Sequence, residues 1–203
     1  MPGRQVLSTE QAEALNVNSK YFKDCSDAFI MTSRGGHKYD RTFMESYIRP
    51  GIGLQNWVSR SNYPALNVVQ TSDTEMSIYV NEFYAQPTAH LNRYSLRIDG
   101  FTSLHAGYSE GNVTTKPFVF SGRELEVNYS TSAAGSIKIE IQDENGQPIP
   151  GYEIESSQEI IGNEIKRIVT WSGVSDVSEL AGQPVRLRIR MKDADLYSLK
   201  FNE

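Results

Sequence analysis

The 203-residue sequence contains one cysteine, Cys25, which excludes an intrachain disulfide framework and leaves the redox compartment open. No apolar run is long enough to span a bilayer. The opening stretch, Met1 to Leu15, lacks the apolar core of a secretion signal. Taken as it stands, that start fits a chain made in the cytoplasm. As part of a longer secreted parent, the chain would be extracellular or periplasmic. A basic excess is also missing. The formal charge is -5, with ten Lys/Arg against ten Asp/Glu from Met1 to Leu104 and ten against fifteen from His105 to Glu203. Such a surface argues against sequence-independent binding of nucleic acid, which needs clustered cations. Histidine is scarce, and His37, His90 and His105 show no zinc-ligand spacing with Cys25. The sequence holds no Ser/His/Asp arrangement and no phosphate-binding glycine loop, and it calls for no metal or cofactor.

What is present is alternation. Ile137, Ile139 and Ile141 interleave with Lys138, Glu140 and Gln142, the period of a strand with one dry face and one wet face. Asn145-Gly146 then predicts a tight hairpin, a better account of Asp143 to Gly146 than a calcium loop. Leu125, Val127 and Tyr129 repeat the pattern, as do Val185, Leu187, Ile189 and Met191. On the wet side of that last strand stands a basic row, Arg186, Arg188, Arg190 and Lys192. Cross-strand pairing with Glu124, Glu126 or Glu140 would account for it. Phe118 and Phe120 open this half, strands follow at Leu125, Ile137, Ile165–Trp171, Val185–Met191 and Leu196–Phe201, and Asp176 to Glu179 reads as a capping box that Gly182 ends. Asp193 and Asp195 read as a solvated turn. Seven or eight strands in residues 105–203 suit a β-sandwich or jelly roll.

Residues 1–104 read differently. Ser8 to Gln11 forms a capping box that opens a short helix through Leu15, ended by Asn16 to Ser19. Strands are expected over Ala28–Ser33, Tyr39–Ile48, Tyr63–Gln70 (broken by Pro64), Glu75–Asn81, Leu91–Ile98 and Phe101–Leu104. Close spacing makes an antiparallel meander the default. This half holds thirteen of the chain's twenty-one aromatics, yet one short helix is too little to cover both faces of such a sheet. Sheets of this kind pack between similar sheets, as a β-propeller blade does. The change of domain is placed at His105–Gly111. The fold class is therefore all-β: a partial propeller blade followed by a β-sandwich or jelly-roll domain.

Two segments carry a family resemblance. Phe29 to Arg41, with Glu45, Ile48-Arg49-Pro50-Gly51 and Asn56-Trp57, resembles a late blade of five-bladed-propeller glycoside-hydrolase-like proteins related to invertases and levanases, although Gly35 stands where relatives often have Asp. Tyr129 to Ser136, Ile139 to Asp143, Gly146 to Gly151, Trp171 and Leu180 to Arg188 resemble the β-sandwich appended to that propeller. The resemblance implies that the family's first four blades, which supply the catalytic carboxylates, are absent here, so no catalytic residue is carried over. It implies a C-terminal piece whose sandwich braces a propeller and touches glycan. The alternatives are a free-standing carbohydrate-binding module, with Tyr108, Tyr152, Trp171 and Tyr197 as its aromatics, and a structural fragment that self-associates through an exposed blade face.

The candidate sugar contacts are Arg41, Glu45, Tyr84, His90 and Arg93. Strand alternation would put Arg41 and Glu45 on one face, where a guanidinium and a carboxylate can hold sugar hydroxyls. His90 and Arg93 follow the Gln86–Ala89 loop, and Tyr84 offers a flat ring with a polar tip.

Overall fold

The computed structural model describes residues 6–18, 20–21 and 25–203. Ser19, the last residue of the expected helix stop, lies outside them. The chain is all-β with antiparallel sheets, none closed into a barrel. It divides into two compact units, Met1–Leu96 and Arg97–Glu203.

In the first unit, helix α1 (Thr9–Ala14) carries the full capping box: Gln11 N–H donates to Ser8 Oγ, and Ser8 N–H donates to Gln11 Oε1. Ala12 packs with Leu7, Val17 and Val58 in a small apolar cluster. Four strands follow: β1 (Tyr63–Pro64), β2 (Val69–Gln70), β3 (Glu75–Glu82) and β4 (His90–Arg97), the last ending one residue past the division. They form an antiparallel sheet with β3 at the centre, β1 and β2 sharing one side of it and β4 on the other. The Tyr63–Gln70 stretch is split, but after Pro64 rather than at it: Pro64 pairs with Val80, Ala65 N–H still donates to Tyr79 O, and Asn67 takes φ 74° between β1 and β2. Met76, Ile78 and Val80 form the buried face of β3.

The strands expected over 28–33 and 39–48 are not present. Only single bridges join Ala28 to Ile48 and Thr32 to Asp40. Asp40 Oδ1 accepts hydrogen bonds from both the N–H and the hydroxyl of Thr42. This local competitor draws the backbone out of the ladder.

The second unit is one six-stranded sheet. Its strands are β5 (Leu104–Ala106), β6 (Gly111–Thr114), β7 (Phe118–Val119), β8 (Glu124–Asp143), β9 (Asn163–Ile168) and β10 (Pro184–Asn202). Strands β8 and β10 run antiparallel along almost their whole length. Strands β5, β6 and β7 line the other edge of β10, and β9 lines the other edge of β8. The Leu125 and Ile137 strands, expected as two, are thus one, as are Val185–Met191 and Leu196–Phe201. A bulge explains the merger. Lys192 faces Ser136 and Ala194 faces Thr131, so Ser132 to Gly135 oppose Asp193 alone. Gly135 is required there, since a Cβ would stand 2.2 Å from Asp193 O and 2.7 Å from Lys192 O.

The bulge lets both halves of the ribbon feed one core. Leu125, Val127, Tyr129, Ile137, Ile139, Ile141 and Leu187 are fully buried, beside Val185, Ile189 and Trp171. Each such aliphatic side chain contributes about 1.5–3 kcal/mol through burial. The hairpin after Ile141 has a three-residue loop: Asp143 N–H donates to Gln147 O, and Gly146 takes φ 86°. The single helical turn expected here is present as 3-10 helix, Ser178–Leu180, but the capping box is not formed: Asp176 accepts from Ser178 N–H at 2.9 Å and the turn has no side-chain cap. The division at Leu96/Arg97 lies earlier than the expected 104/105. Leu104 to Ala106 are laddered to β10, and the Arg97 side chain is bound within the second unit.

Candidate functional site

The residues with chemistry in the first unit gather on β3 and β4, and strand alternation sorts them into two clusters. On the face that buries Ile78 and Val80, Glu82 ends β3 with a side chain only 12 % exposed. Three side chains from β4 converge on its carboxylate. Tyr94 Oη donates to Oε1, Asn92 Nδ2 donates to Oε2 at 3.5 Å, and His90 Nε2 lies 3.4 Å from Oε2. His90 Nδ1 also lies 2.9 Å from Thr88 O, and its ring meets Phe83 edge-on at 5.1 Å. Burial, then the bond to Glu82, pushes the Tyr94 phenol up to about 12. The Glu82 carboxylate is thus a positioned acceptor for Tyr94 and Asn92, with the His90 ring beside it.

On the opposite face Arg93 pairs with Glu75 and donates to Ser77 Oγ at 2.8 Å and Thr71 Oγ1 at 3.4 Å. Tyr84 accepts from Arg60 Nη1 at 3.2 Å, and its ring meets Tyr21 edge-on at 5.4 Å. Three of the five predicted sugar contacts, Tyr84, His90 and Arg93, are therefore engaged by neighbours. Arg41 and Glu45 are exposed. The Arg41 guanidinium lies 5.4 Å from the Phe29 ring centroid, and neither residue forms an ion pair among the described residues. The predicted alternation of Arg41 and Glu45 has no strand to rest on. Glu82 was missed because a carboxylate at a strand end carries no sequence signal; its role comes from three residues of the next strand.

Two open grooves lie in the first unit. One of about 410 Å³ is lined by Tyr47, Ile48, Arg49, Ile78, Tyr94 and Leu96. The other, of about 710 Å³, surrounds the Gly35-Gly36 turn, with Thr32, Arg34, Lys38, Tyr39 and Asp40 on its walls.

In the second unit, Tyr152 and Trp171 are core residues, 7 % and 2 % exposed, and Trp171 Nε1 donates to Ile139 O. Arg97 Cζ lies 4.2 Å from the Tyr197 ring centroid. Of the expected aromatic faces, Tyr108 is the well-exposed one, at 71 %. Asp195 Oδ1 accepts from Ser103 Oγ at 2.6 Å and lies 3.1 Å from His105 Nδ1. Among the described residues, no three His, Cys, Asp or Glu side chains converge as a metal site.

No helix of the described residues is long and apolar enough to cross a membrane. Comparison with protein-family models, curated proteins and solved structures gave no match, so the site is read from its geometry alone.

Proposed function

We propose that this chain works as the C-terminal part of a glycoside-hydrolase-like propeller protein. Its first unit is a blade that packs against further β-sheets, and its second unit is a β-sandwich that braces the propeller. The observation that carries this reading is the apolar surface of the first unit. Phe29, Met31, Tyr39, Phe43, Met44, Ile52, Tyr63, Leu66 and Leu91 are 44–98 % exposed. Large apolar side chains left in water in that number favour a further surface against them, and an antiparallel sheet built from β1 to β4 is compatible with a blade. Hydrolysis is not assigned to this chain alone. It needs two carboxylates facing one glycosidic bond, whereas the Glu82 carboxylate is engaged by its own neighbours. Arg41 and Glu45 are the residues offered to sugar hydroxyls.

The test is the mass of the native protein in its source cells, by immunoblot or intact mass spectrometry. The expected species is much larger than 22.8 kDa. A species at that mass overturns the reading. Strand β4 ladders only to β3 among the described residues, and this edge favours a second reading, self-association through the first unit. A concentration-dependent oligomer of the 203-residue chain, without glycan affinity, supports it. A free-standing carbohydrate-binding module is less well supported, because two of its four expected aromatics are core residues.

A further inference from the structure

The outward face of the β8–β10 pair carries charge that pairing within the second unit does not cancel. Alternation places Arg186, Arg188, Arg190 and Lys192 opposite the buried Val185, Leu187, Ile189 and Met191. At about 3.3 Å per residue the row spans roughly 20 Å. The ladder sets Gln142, Glu140, Lys138 and Ser136 across from these cations in turn. Pairing by itself would place a carboxylate across from each; instead Lys138 stands directly opposite Arg190, a like-charge contact that costs stability.

Two carboxylates reach the row. Glu140 lies 3.7 Å from Arg188 Nη1, but its side chain is 2 % exposed and it already accepts from Ile154 N–H and Gln142 Nε2. Glu110 lies 3.7 Å from Arg190 Nε. The other expected partners are used elsewhere: Glu126 by Lys200 and Asn202, and Glu124 by Ser175. Arg186 donates to the main-chain oxygens of Glu144 and Thr115 at 2.9 and 3.0 Å, which fixes the guanidinium without neutralising it. Lys138 and Lys192 form no ion pair among the described residues. At the end of the row, Lys192 Nζ lies 4.6 Å from the centroid of the Tyr108 ring, which remains 71 % exposed.

We propose that this face binds an anionic polysaccharide, one whose sugar rings carry sulfate or carboxylate groups. The anions sit against Arg188, Arg190, Lys138 and Lys192, and a sugar ring stacks on Tyr108. Cations repeated along a rigid strand match a linear, repeating polyanion, and guanidinium forks suit both oxyanions. The exposed aromatic beside them supplies a flat apolar surface for the ring. A polynucleotide fits less well. Binding of a single strand stacks successive bases on several aromatic rings, whereas Tyr108 is the one well-exposed aromatic among the described residues of the second unit. The face lies wholly in the second unit, so its binding does not rest on assembly into a propeller.

The test uses the full chain in affinity electrophoresis and titration against heparin (sulfate), polygalacturonate (carboxylate), neutral dextran and a single-stranded DNA oligonucleotide. Binding is expected to heparin or polygalacturonate, the better of the two naming the anion, with none to dextran and a fall with added salt. Lys138→Gln and Lys192→Gln should each weaken it roughly five-fold through lost counterion release, and Tyr108→Ala by a similar factor. Lys200→Gln, an equal change of charge beside Glu126, should leave it unaltered. Three results overturn the proposal: no binding to either anionic glycan, an equal loss in Lys200→Gln, or tighter binding of the DNA.

Discussion

The two units solve the same problem, burying a β-sheet, to different degrees. Among the described residues, the second unit buries 21 apolar side chains and leaves five large ones exposed, while the first buries eight and leaves fourteen. Their aliphatic and aromatic supply is not the difference, since residues 1–104 hold most of the aromatics. The difference lies in the length of the strands. Strands β8 and β10 bring twenty and nineteen residues to one core, whereas the longest strands of the first unit have eight. A short sheet makes faces faster than it can cover them. Stability is expected to reside in the second unit, and unmet surface in the first.

The sharpest break of this comparison pairs two truncations. Ile139→Ala, at a fully buried site, should cost about 2–5 kcal/mol in denaturant unfolding, whereas Leu91→Ala, 61 % exposed, should stay within about 0.5 kcal/mol. Equal costs would mean that the first unit's surface is already covered. Next, Gly135→Ala forces a methyl against two backbone oxygens at the bulge. A loss of roughly 2 kcal/mol or more is expected in the same assay, and a silent variant would show that the bulge can move.

Arg97→Ala removes donors to Asn128 Oδ1, Asn163 Oδ1, Tyr129 O and Glu164 O. It should destabilise the second unit by about 1.5–3 kcal/mol, read as a lower midpoint with β4 otherwise intact. Tyrosine ionisation gives a subtler check. Burial, then a bond to Glu164 or Glu179, pushes Tyr129 and Tyr152 up to about 12. Because the folded value is raised above the ordinary 10.0, this stabilisation is complete below pH 10 and is lost as pH rises through about 12. A phenolate absorbance titration should therefore show late tyrosines that vanish in Tyr129→Phe and Tyr152→Phe. The smallest effect is at Asp176, held down to about 2 by hydrogen bonds from Ser178 and then Arg123. Its folded value is depressed, so its contribution is present above pH 3.8 and lost as pH falls through about 2. Asp176→Asn should flatten the acid limb of the stability curve in that window.

Much of the second unit was legible from order alone. The dry positions at 125–129, 137–141 and 185–191 are all core, and the turn expected at Asn145-Gly146 is present, with Gly146 the one of the two at positive φ. The Ser8–Gln11 cap was equally plain. The strand expected over Tyr39–Ile48 stops after a single bridge at Asp40, whose side chain captures Thr42, an interaction that a count of apolar residues does not weigh. The candidate site was legible only as residue types. His90 and Arg93 were named, but not the Glu82 and Glu75 that hold them. The basic row was found, yet of the carboxylates expected to pair with it only Glu140 does so.

The sequence by itself determined which side chains are dry, where the chain turns and where the one described α-helix begins. Each of these depends on residues within a few positions of one another, so period-two alternation and positive φ suffice to read them. Tertiary structure alone decided that two expected pairs of strands are two continuous ones, that Ser132 to Gly135 bulge against Asp193, and that Lys138 stands across from Arg190. Those outcomes follow from a register shared by segments far apart in the chain. A one-residue slip would have changed every partner while leaving the local pattern untouched.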